Sequence, residues 1–116
     1  MLEKKPLAHP DEVRRFAHGS LEVVTLAAGS IGKGTFEPGW QWSTHIGPAT
    51  GTRSCPVPHL GYVVSGRMMV VMPDGEQLTL EPGDVFSIPP GHDAWTLGAE
   101  ACVLIDFAGA ATYAKA

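Results

Sequence analysis

Residues 83–95 carry the sequence GDVFSIPPGHDAW, in which a short apolar strand lies between two turns. The first turn, residues 81–84, has a proline followed by a glycine, and these supply the fixed and the positive φ of a type II turn. The strand is predicted at residues 85–88, and a second proline and glycine turn at residues 89–91 ends it. His92 therefore follows directly on a bend, at a point where a strand is expected to resume.

The same pattern of short apolar runs and tight turns extends over most of the chain. Its 14 glycines and 10 prolines separate short apolar runs, with turns at intervals of roughly ten residues, which is typical of many short strands. With 116 residues and 44% hydrophobic content, the chain fits one domain with one core. We therefore predict an all-β sandwich or barrel. The predicted strands are 21–26, 31–37, 40–46, 57–65, 67–72, 77–80, 85–88, 94–97 and 102–107.

The chain contains no internal repeat, linker or composition shift that would indicate a second domain. Residues 1–20 are polar and are predicted to form an N-terminal arm, either with one helical turn after Pro10 or extended. The barrel is predicted at residues 21–108 and a C-terminal tail at residues 109–116. Residues 47–56 have no strand pattern and are predicted to be the longest loop inside the barrel.

Charge and composition argue against several classes of partner. The net charge of −4 and the absence of a Lys/Arg run argue against nucleic acid. No apolar run is long enough to span a membrane, and no apolar segment follows the charged N-terminus as in a signal peptide. Two cysteines, Cys55 and Cys102, are too few for a disulfide framework. We therefore expect a cytoplasmic protein without nucleic-acid or membrane partners.

Two spaced motifs resemble those of the cupin family. The second cupin motif has a glycine, five residues, a proline, one residue and a glycine, and Gly83, Pro89 and Gly91 match this spacing. In the family a histidine follows nearby, and here it is His92. The resemblance implies a double-stranded β-helix, which is a jelly-roll barrel in a single domain.

The first cupin motif is present in altered form. Gly39 and His45 have the spacing of its opening glycine and first histidine, but Gly47 stands where the family has its second histidine. His59 and Gly66 have the spacing of its glutamate and closing glycine, so a histidine replaces the glutamate. This departure removes the carboxylate that Fe(II) oxygenases use beside two histidines and weakens an oxygenase assignment.

The resemblance implies a metal site inside the barrel, and strand parity gives the candidate ligands. The family's metal histidine falls at Ala94 here, and His92 has the same parity one residue pair along the strand. Cys55 shares the parity of His59 and follows the unusual loop. The expected ligands are His45, His59, His92 and Cys55, which suit Zn, Fe, Ni or Cu without distinguishing them. The alternative is that these histidines form hydrogen bonds in a polar cavity without metal.

The predicted ligand pocket contains the residues that share a face with these ligands. Gln41 and Ser43 have the parity of His45, and Ala94 has the parity of His92. Arg53, in the long loop, would recognise a carboxylate at the mouth of the barrel or remain a solvated loop charge. Asp93 is expected in a turn role, because it is out of parity with His92.

Parity also places Trp40 and Trp42 on the outside of the barrel. An exposed pair of tryptophans forms an apolar patch that a soluble monomer normally avoids. Either the N-terminal arm or a second copy of the chain would cover it. We expect a homodimer with Trp40 or Trp42 at or near the interface, because a two-fold partner presents an identical patch.

We therefore expect a small single-domain cupin that binds a divalent metal and a small-molecule ligand inside its barrel, as a binding or sensing module. The alternative is a metal-dependent enzyme of the dioxygenase, isomerase or lyase kind. The loss of two of the usual ligands favours the first function, and the presence of substitute ligands keeps the second open. The fold by itself does not decide between them.

Overall fold

The computed structural model of the protein describes residues 1–110 and residue 113, and strands make up most of the regular secondary structure of the described part. The all-β class predicted from the sequence is confirmed. The strands are β1 (Glu12–Phe16), β2 (Gly19–Leu26), β3 (Gly29–Phe36), β4 (His59–Ser65), β5 (Arg67–Val71), β6 (Gln77–Leu80), β7 (Val85–Ile88), β8 (Asp93–Leu97) and β9 (Cys102–Asp106).

The strands form two antiparallel sheets that enclose one core. The larger sheet has the order β1-β2-β3-β9-β4-β7, and the smaller has the order β6-β5-β8. Alternate residues of each strand face the space between the sheets, as the period of two requires. On β9, for example, Cys102, Leu104 and Asp106 are buried while the intervening residues are partly exposed. The two facing sheets form the β-sandwich barrel that the strand pattern predicted.

Two glycines show why the turns fall where they do. Gly66, between β4 and β5, has φ of 74°, and a Cβ there would lie 2.1 Å from the Ala101 carbonyl oxygen. Only glycine fits such a position. Gly91, with φ of 98°, makes the bend that ends the segment after β7 and brings the chain to His92. The turn chemistry of the sequence therefore sets the position of this histidine.

The strand predicted at residues 40–46 is wrong. The chain forms two short helices there, α1 (Trp42–His45) and α2 (Gly47–Thr50), and only Gln41 makes a bridge, to Trp95 of β8. The Asp93 carboxylate accepts hydrogen bonds from the backbone N–H of Ser43 (3.0 Å) and from Gln41 Nε2 (3.1 Å). These bonds fix the first turn of α1 against the start of β8 and interrupt strand pairing.

The burial of two tryptophans follows from this turn of helix. Trp40 and Trp42 are each 2% exposed and belong to the core, so their predicted position on the outside of the barrel is wrong. One indole enters the core from extended backbone and the other from a helix, so strand parity does not apply to both. The homodimer was expected because the two tryptophans were placed on the surface, and their burial removes that reason.

The N-terminal segment adds a strand to the larger sheet. Residues 12–16 form β1, which pairs antiparallel with β2, so the extended alternative for this segment is the observed one. Phe16, at the end of β1, stacks on Phe36 at a centroid distance of 5.9 Å and lies 6.5 Å from Trp40. The arm thus covers part of the core. Of the predicted tail, residues 111, 112 and 114–116 lie outside the described residues.

Neither α1 nor α2, which have four residues each, is long enough to cross a bilayer, and the described part of the chain has no other helix.

Candidate metal centre

His59 is the first residue of β4 and lies at the centre of the candidate site. Its Nδ1 lies 2.5 Å from Oδ2 of Asp106, and its Nε2 lies 3.6 Å from the Cys55 sulfur. Because an ionised carboxylate only accepts hydrogen bonds, Nδ1 carries the proton and donates it. The His59 ring is therefore fixed in the tautomer whose free lone pair, on Nε2, faces the thiol.

His92 is oriented by the turn that precedes it. Its Nδ1 donates to the Pro89 carbonyl oxygen over 2.7 Å, so Nε2 is the nitrogen available to a ligand. The residue is 4% exposed, and its ring lies edge-on to that of His59 at a centroid distance of 5.1 Å. The proline and glycine turn seen in the sequence thus positions both the backbone and the ring.

Cys55 is held beside His92 by a pair of backbone hydrogen bonds. Its N–H donates to the His92 carbonyl (2.8 Å), and the Gly91 N–H donates to the Cys55 carbonyl (2.7 Å). The two residues form an isolated antiparallel bridge ahead of β4. Cys55 is 1% exposed. The long loop therefore ends in backbone hydrogen bonds to the turn that carries His92.

These three side chains form a group that could hold a metal ion. The ligand atoms of Cys55, His59 and His92 all lie within 4.8 Å of one another. Ligand atoms around a tetrahedral zinc ion stand about 3.5 Å apart, given bond lengths of about 2.0–2.3 Å. The donor set therefore fits such an ion after a small contraction. The structure brings together three of the four ligands that the sequence predicted.

The fourth predicted ligand, His45, does not join the group, and this expectation needs correction. His45 is the last residue of α1, so its direction follows the helix and not strand parity. Its Nδ1 accepts a hydrogen bond from the Gln41 N–H (2.9 Å), and its ring packs edge-on against His18 at 4.7 Å. His45 thus lies beside the turn between β1 and β2.

Only one of the four predicted pocket residues lines the cavity. Ala94 is 4% exposed and lines the same cavity as His59 and His92. Gln41 and Ser43 instead bind the Asp93 carboxylate, outside that cavity. Arg53 is exposed in the loop after α2 and does not line the cavity either. The same helix that displaces His45 therefore displaces the residues that shared its parity.

Asp106 is a residue of the candidate site that the sequence did not indicate. It is 4% exposed at the end of β9, and its Oδ1 accepts the backbone N–H groups of Ala108 and Gly109, both at 2.9 Å. Its other oxygen is bonded to His59, so both oxygens of this buried carboxylate have hydrogen-bond partners. One signal was available: Asp106 is the single acidic residue of an apolar strand and has the inward parity of Leu104.

The electrostatics of the metal-free site follow from its burial. Burial alone would raise the pKa of Asp106, but hydrogen bonds from His59 and from two backbone N–H groups hold it below its ordinary value. Burial raises the pKa of the Cys55 thiol to about 11, and the Asp106 charge acts in the same direction. Burial also lowers the pKa of His92, with a contribution from His59. The thiol and His92 are therefore neutral at pH 7, and a cation would be needed to form the thiolate.

A cavity of about 40 Å³ lies between the two sheets, next to this group. Its walls are mostly aliphatic and aromatic, and its polar residues are those of the site and Tyr113. The lining residues are Leu21, Phe36, Trp40, Trp42, His59, Met68, Val70, Leu80, Phe86, Ile88, His92, Ala94, Leu104, Asp106 and Tyr113. Cys55 is not part of the wall.

Comparison with known proteins identifies the fold. Residues 34–107 match a family model described as a cupin domain. A search of curated proteins by sequence finds no match. Among solved structures, the chain is similar to the polyketide cyclase RemF from Streptomyces resistomycificus, with 18% identity and a TM-score of 0.66 over 95% of this chain and 80% of that one.

Two other solved structures support the same fold. A cupin-like protein from Thermotoga maritima is 20% identical, with a TM-score of 0.54 over 86% of this chain and 84% of that one. An oxalate decarboxylase from Lactobacillus farciminis is 18% identical, with a TM-score of 0.60 over 85% of this chain but only 31% of that one. At these identities the likeness extends to the fold and not to the activity.

Proposed function

Since the chain belongs to the cupin domain family, we propose that it binds a divalent metal ion through Cys55, His59 and His92 and a small-molecule ligand in the adjoining cavity. In this proposal the protein acts as a binding or sensing module. The observation that carries the proposal is the convergence of one thiol and two imidazoles within 4.8 Å.

The surroundings of the two imidazoles support metal binding. In metal sites a ligating histidine donates its other ring N–H to a carboxylate or a backbone carbonyl, which fixes the ring and raises its basicity. His59 makes such a bond to Asp106, and His92 makes one to Pro89. Histidines that served only as hydrogen-bonding core residues would not need their Nε2 atoms next to a common thiol. Asp106 would also balance part of the charge of the ion.

We propose zinc as the metal, with copper, nickel and iron as competitors. A thiolate with two imidazoles is a borderline-soft donor set that suits Zn²⁺ and Cu²⁺ better than ions that prefer oxygen. The group of described ligands contains no carboxylate, so it does not make the two-histidine, one-carboxylate set of Fe(II) oxygenases. A zinc ion with three protein ligands retains a fourth position for an exogenous donor.

The lining of the cavity favours binding over catalysis. Its ionisable residues are His59, His92, Asp106 and Tyr113. The first two are the proposed ligands, and Asp106 is occupied by His59 and two backbone N–H groups. No ionisable side chain of the described wall, apart from the buried Tyr113 phenol, is left to act as an acid or base. The open fourth position supports the alternative, a metal-dependent enzyme, and turnover of a small organic substrate by the zinc form would favour it.

Zinc stoichiometry and affinity test the proposal. Protein prepared without a His tag should bind one zinc ion per chain in competition with a chromophoric chelator. The variants Cys55→Ala, His59→Ala and His92→Ala should each lose this stoichiometric binding. His45→Ala and Cys102→Ala are matched controls, since each removes the same kind of side chain outside the group. Wild-type affinity in the first three variants would contradict the proposal.

Cobalt substitution gives an independent reading of the thiolate. A Co²⁺ ion bound through sulfur has a charge-transfer absorption in the near ultraviolet, which should be present in the wild type and in Cys102→Ala. It should be absent in Cys55→Ala. Its persistence in Cys55→Ala would remove Cys55 from the ligand set. For the cell compartment we propose the reducing cytoplasm, which is supported by the buried free thiols of Cys55 and Cys102.

We also propose that the chain forms a homodimer, through a different surface from that expected from the sequence. Leu60, Tyr62 and Val64 are 40–49% exposed on the outer face of β4. Val85, opposite Tyr62 on β7, is 76% exposed. β7 is an edge strand of the larger sheet, and an edge beside an apolar face invites pairing. A second copy would supply the same edge and the same apolar face around a two-fold axis.

A further inference from the structure

The indole of Trp40 is a buried hydrogen-bond donor without a partner. Trp40 is 2% exposed, and its Nε1 has no hydrogen-bond partner among the described residues. The great majority of buried polar groups in native proteins are hydrogen-bonded, so an exception calls for an explanation. The Trp40 side chain lines the cavity beside His59 and His92. The donor therefore belongs to a residue that a ligand in the cavity would contact.

The indole is also held in place on the protein side. Its ring packs against Phe36 at a centroid distance of 4.4 Å and against Phe16 at 6.5 Å. Its own carbonyl accepts the N–H of Thr96 on β8 (3.0 Å). With backbone and ring both fixed, the indole cannot turn its N–H to solvent without unpacking the aromatic cluster. A hydrogen-bond acceptor for the Trp40 N–H therefore has to enter the core beside the indole.

The size of the cavity limits this partner. A volume of about 40 Å³ has room for roughly three water-sized groups, since one group needs about 10–15 Å³. The remaining wall is largely apolar, so the ligand also needs a part that tolerates hydrocarbon contact. The polar side chains of the metal group are already bonded to one another or to backbone. Trp40 Nε1 is thus a donor that remains for a small molecule, together with the Tyr113 phenol.

We infer that the cavity binds a small ligand with two oxygen acceptors, of which one accepts a hydrogen bond from Trp40 Nε1 and the other takes the open position of the metal ion. The inference rests on the proposed metal site. A short-chain carboxylate matches this description, because its two oxygens serve the two partners and its short alkyl group meets the apolar wall. Trp40 is then a ligand-binding residue that selects for acceptor oxygens.

Titration with acetate tests the inference. The probe is sodium acetate, added to zinc-loaded protein whose tryptophan side chains are labelled with ¹⁵N, and the readout is the indole N–H resonance of Trp40. Acetate should shift this resonance and saturate. The Trp40→Phe variant, which keeps an aromatic ring in the cluster, should bind acetate about tenfold more weakly, as expected for a lost hydrogen bond to a charged group. Its acetate affinity is read from the indole N–H resonance of Trp42, which also lines the cavity. Zinc affinity should be unchanged in this variant.

Two controls keep the outcomes distinct. Trp95→Phe removes an indole outside the cavity wall and should leave acetate affinity unchanged. Methylammonium, a cation of similar size without an acceptor, should not shift the resonance. A zinc-loaded protein in which acetate leaves the Trp40 resonance unmoved, or binds Trp40→Phe as tightly as the wild type, overturns this inference alone and assigns the donor to a buried water. A wild type that takes up no zinc overturns the proposed function. If the wild type takes up no zinc and acetate also leaves its Trp40 resonance unmoved, the inference is overturned as well.

Discussion

The Asp106 carboxylate lies 2.5 Å from the His59 imidazole, across 47 residues of sequence. This contact orients the histidine, fixes its tautomer and places a negative charge behind the candidate metal site. It also links β9 to β4, two neighbouring strands of the larger sheet. The behaviour of the site should therefore depend on a residue that would not itself touch the metal.

Replacing Asp106 with Asn should weaken zinc binding about 10–100-fold, as is typical when the partner of a ligating histidine is changed. The amide keeps the shape of the carboxylate but removes its charge. The measurement is zinc affinity by chelator competition. Asp84→Asn is a suitable control, because Asp84 accepts a hydrogen bond from the Glu81 N–H in an exposed turn. Equal affinities in all three proteins would show that Asp106 has only a structural role.

The metal-free protein should lose stability as the pH falls below about 6.5, the ordinary pKa of histidine. Burial lowers the pKa of His92, so between this lowered value and 6.5 the unfolded state binds more protons than the folded state. Stability therefore falls with pH in that interval. The charged or titratable groups that act on His92 are His59 and Asp93. Asp106 adds a second loss at lower pH, since its lowered pKa stabilises the fold only while it is ionised.

Urea unfolding of metal-free protein between about pH 5 and 8 measures the first of these effects. The slope of unfolding free energy against pH should be smaller in His92→Gln than in the wild type. His9→Gln, which changes an exposed histidine of the N-terminal segment, should keep the wild-type slope. A His92→Gln protein with the full wild-type slope would assign the pH dependence to other groups.

Gly109→Ala should destabilise the fold and weaken zinc binding together. A Cβ at this position would lie 2.6 Å from Val57 Cγ1, 2.7 Å from the Pro58 carbonyl oxygen and 2.9 Å from His59 Nδ1. Such overpacking costs about 1–3 kcal/mol, and here it also pushes on the ring that Asp106 orients. Thermal unfolding and zinc affinity are the two measurements. Ala108→Ser, a change at the exposed neighbouring residue, should affect neither; a fully stable Gly109→Ala protein with wild-type zinc affinity would contradict the expectation.

Val85→Lys should shift the protein from dimer to monomer in analytical ultracentrifugation at tens of micromolar. Val85 is 76% exposed on the edge strand β7, and a charge there opposes both apolar contact and edge pairing. Leu78→Lys is the matched control, because Leu78 is 48% exposed on β6, an edge of the other sheet. A wild type that sediments as a monomer, or a Val85→Lys protein that remains a dimer, would rule out this interface.

Eight of the nine predicted strands and their turns follow from the sequence because their causes are local. Glycine and proline set the turns, and alternation within a few residues sets which face is buried. The same local rules singled out His59 and His92, which lie at or next to the start of a strand. Cys55 lies in the loop ahead of β4 and is held by its bridge to His92. β1 was left open between helix and extended chain because its polar sequence has no periodicity, and its pairing with β2 decided the matter.

The sequence by itself thus determined the class of fold and the family resemblance, and it singled out three residues that the structure brings together. Only the tertiary structure decided the remaining features of the site, because each of them depends on residues that are distant in sequence. Residues 42–45 form a helix where alternation predicted a strand, since Asp93, 50 residues from Ser43, binds the backbone there and the core takes up both tryptophans. His45 leaves the site for this reason. Asp106 enters it because strand pairing, and not sequence proximity, places β9 beside β4.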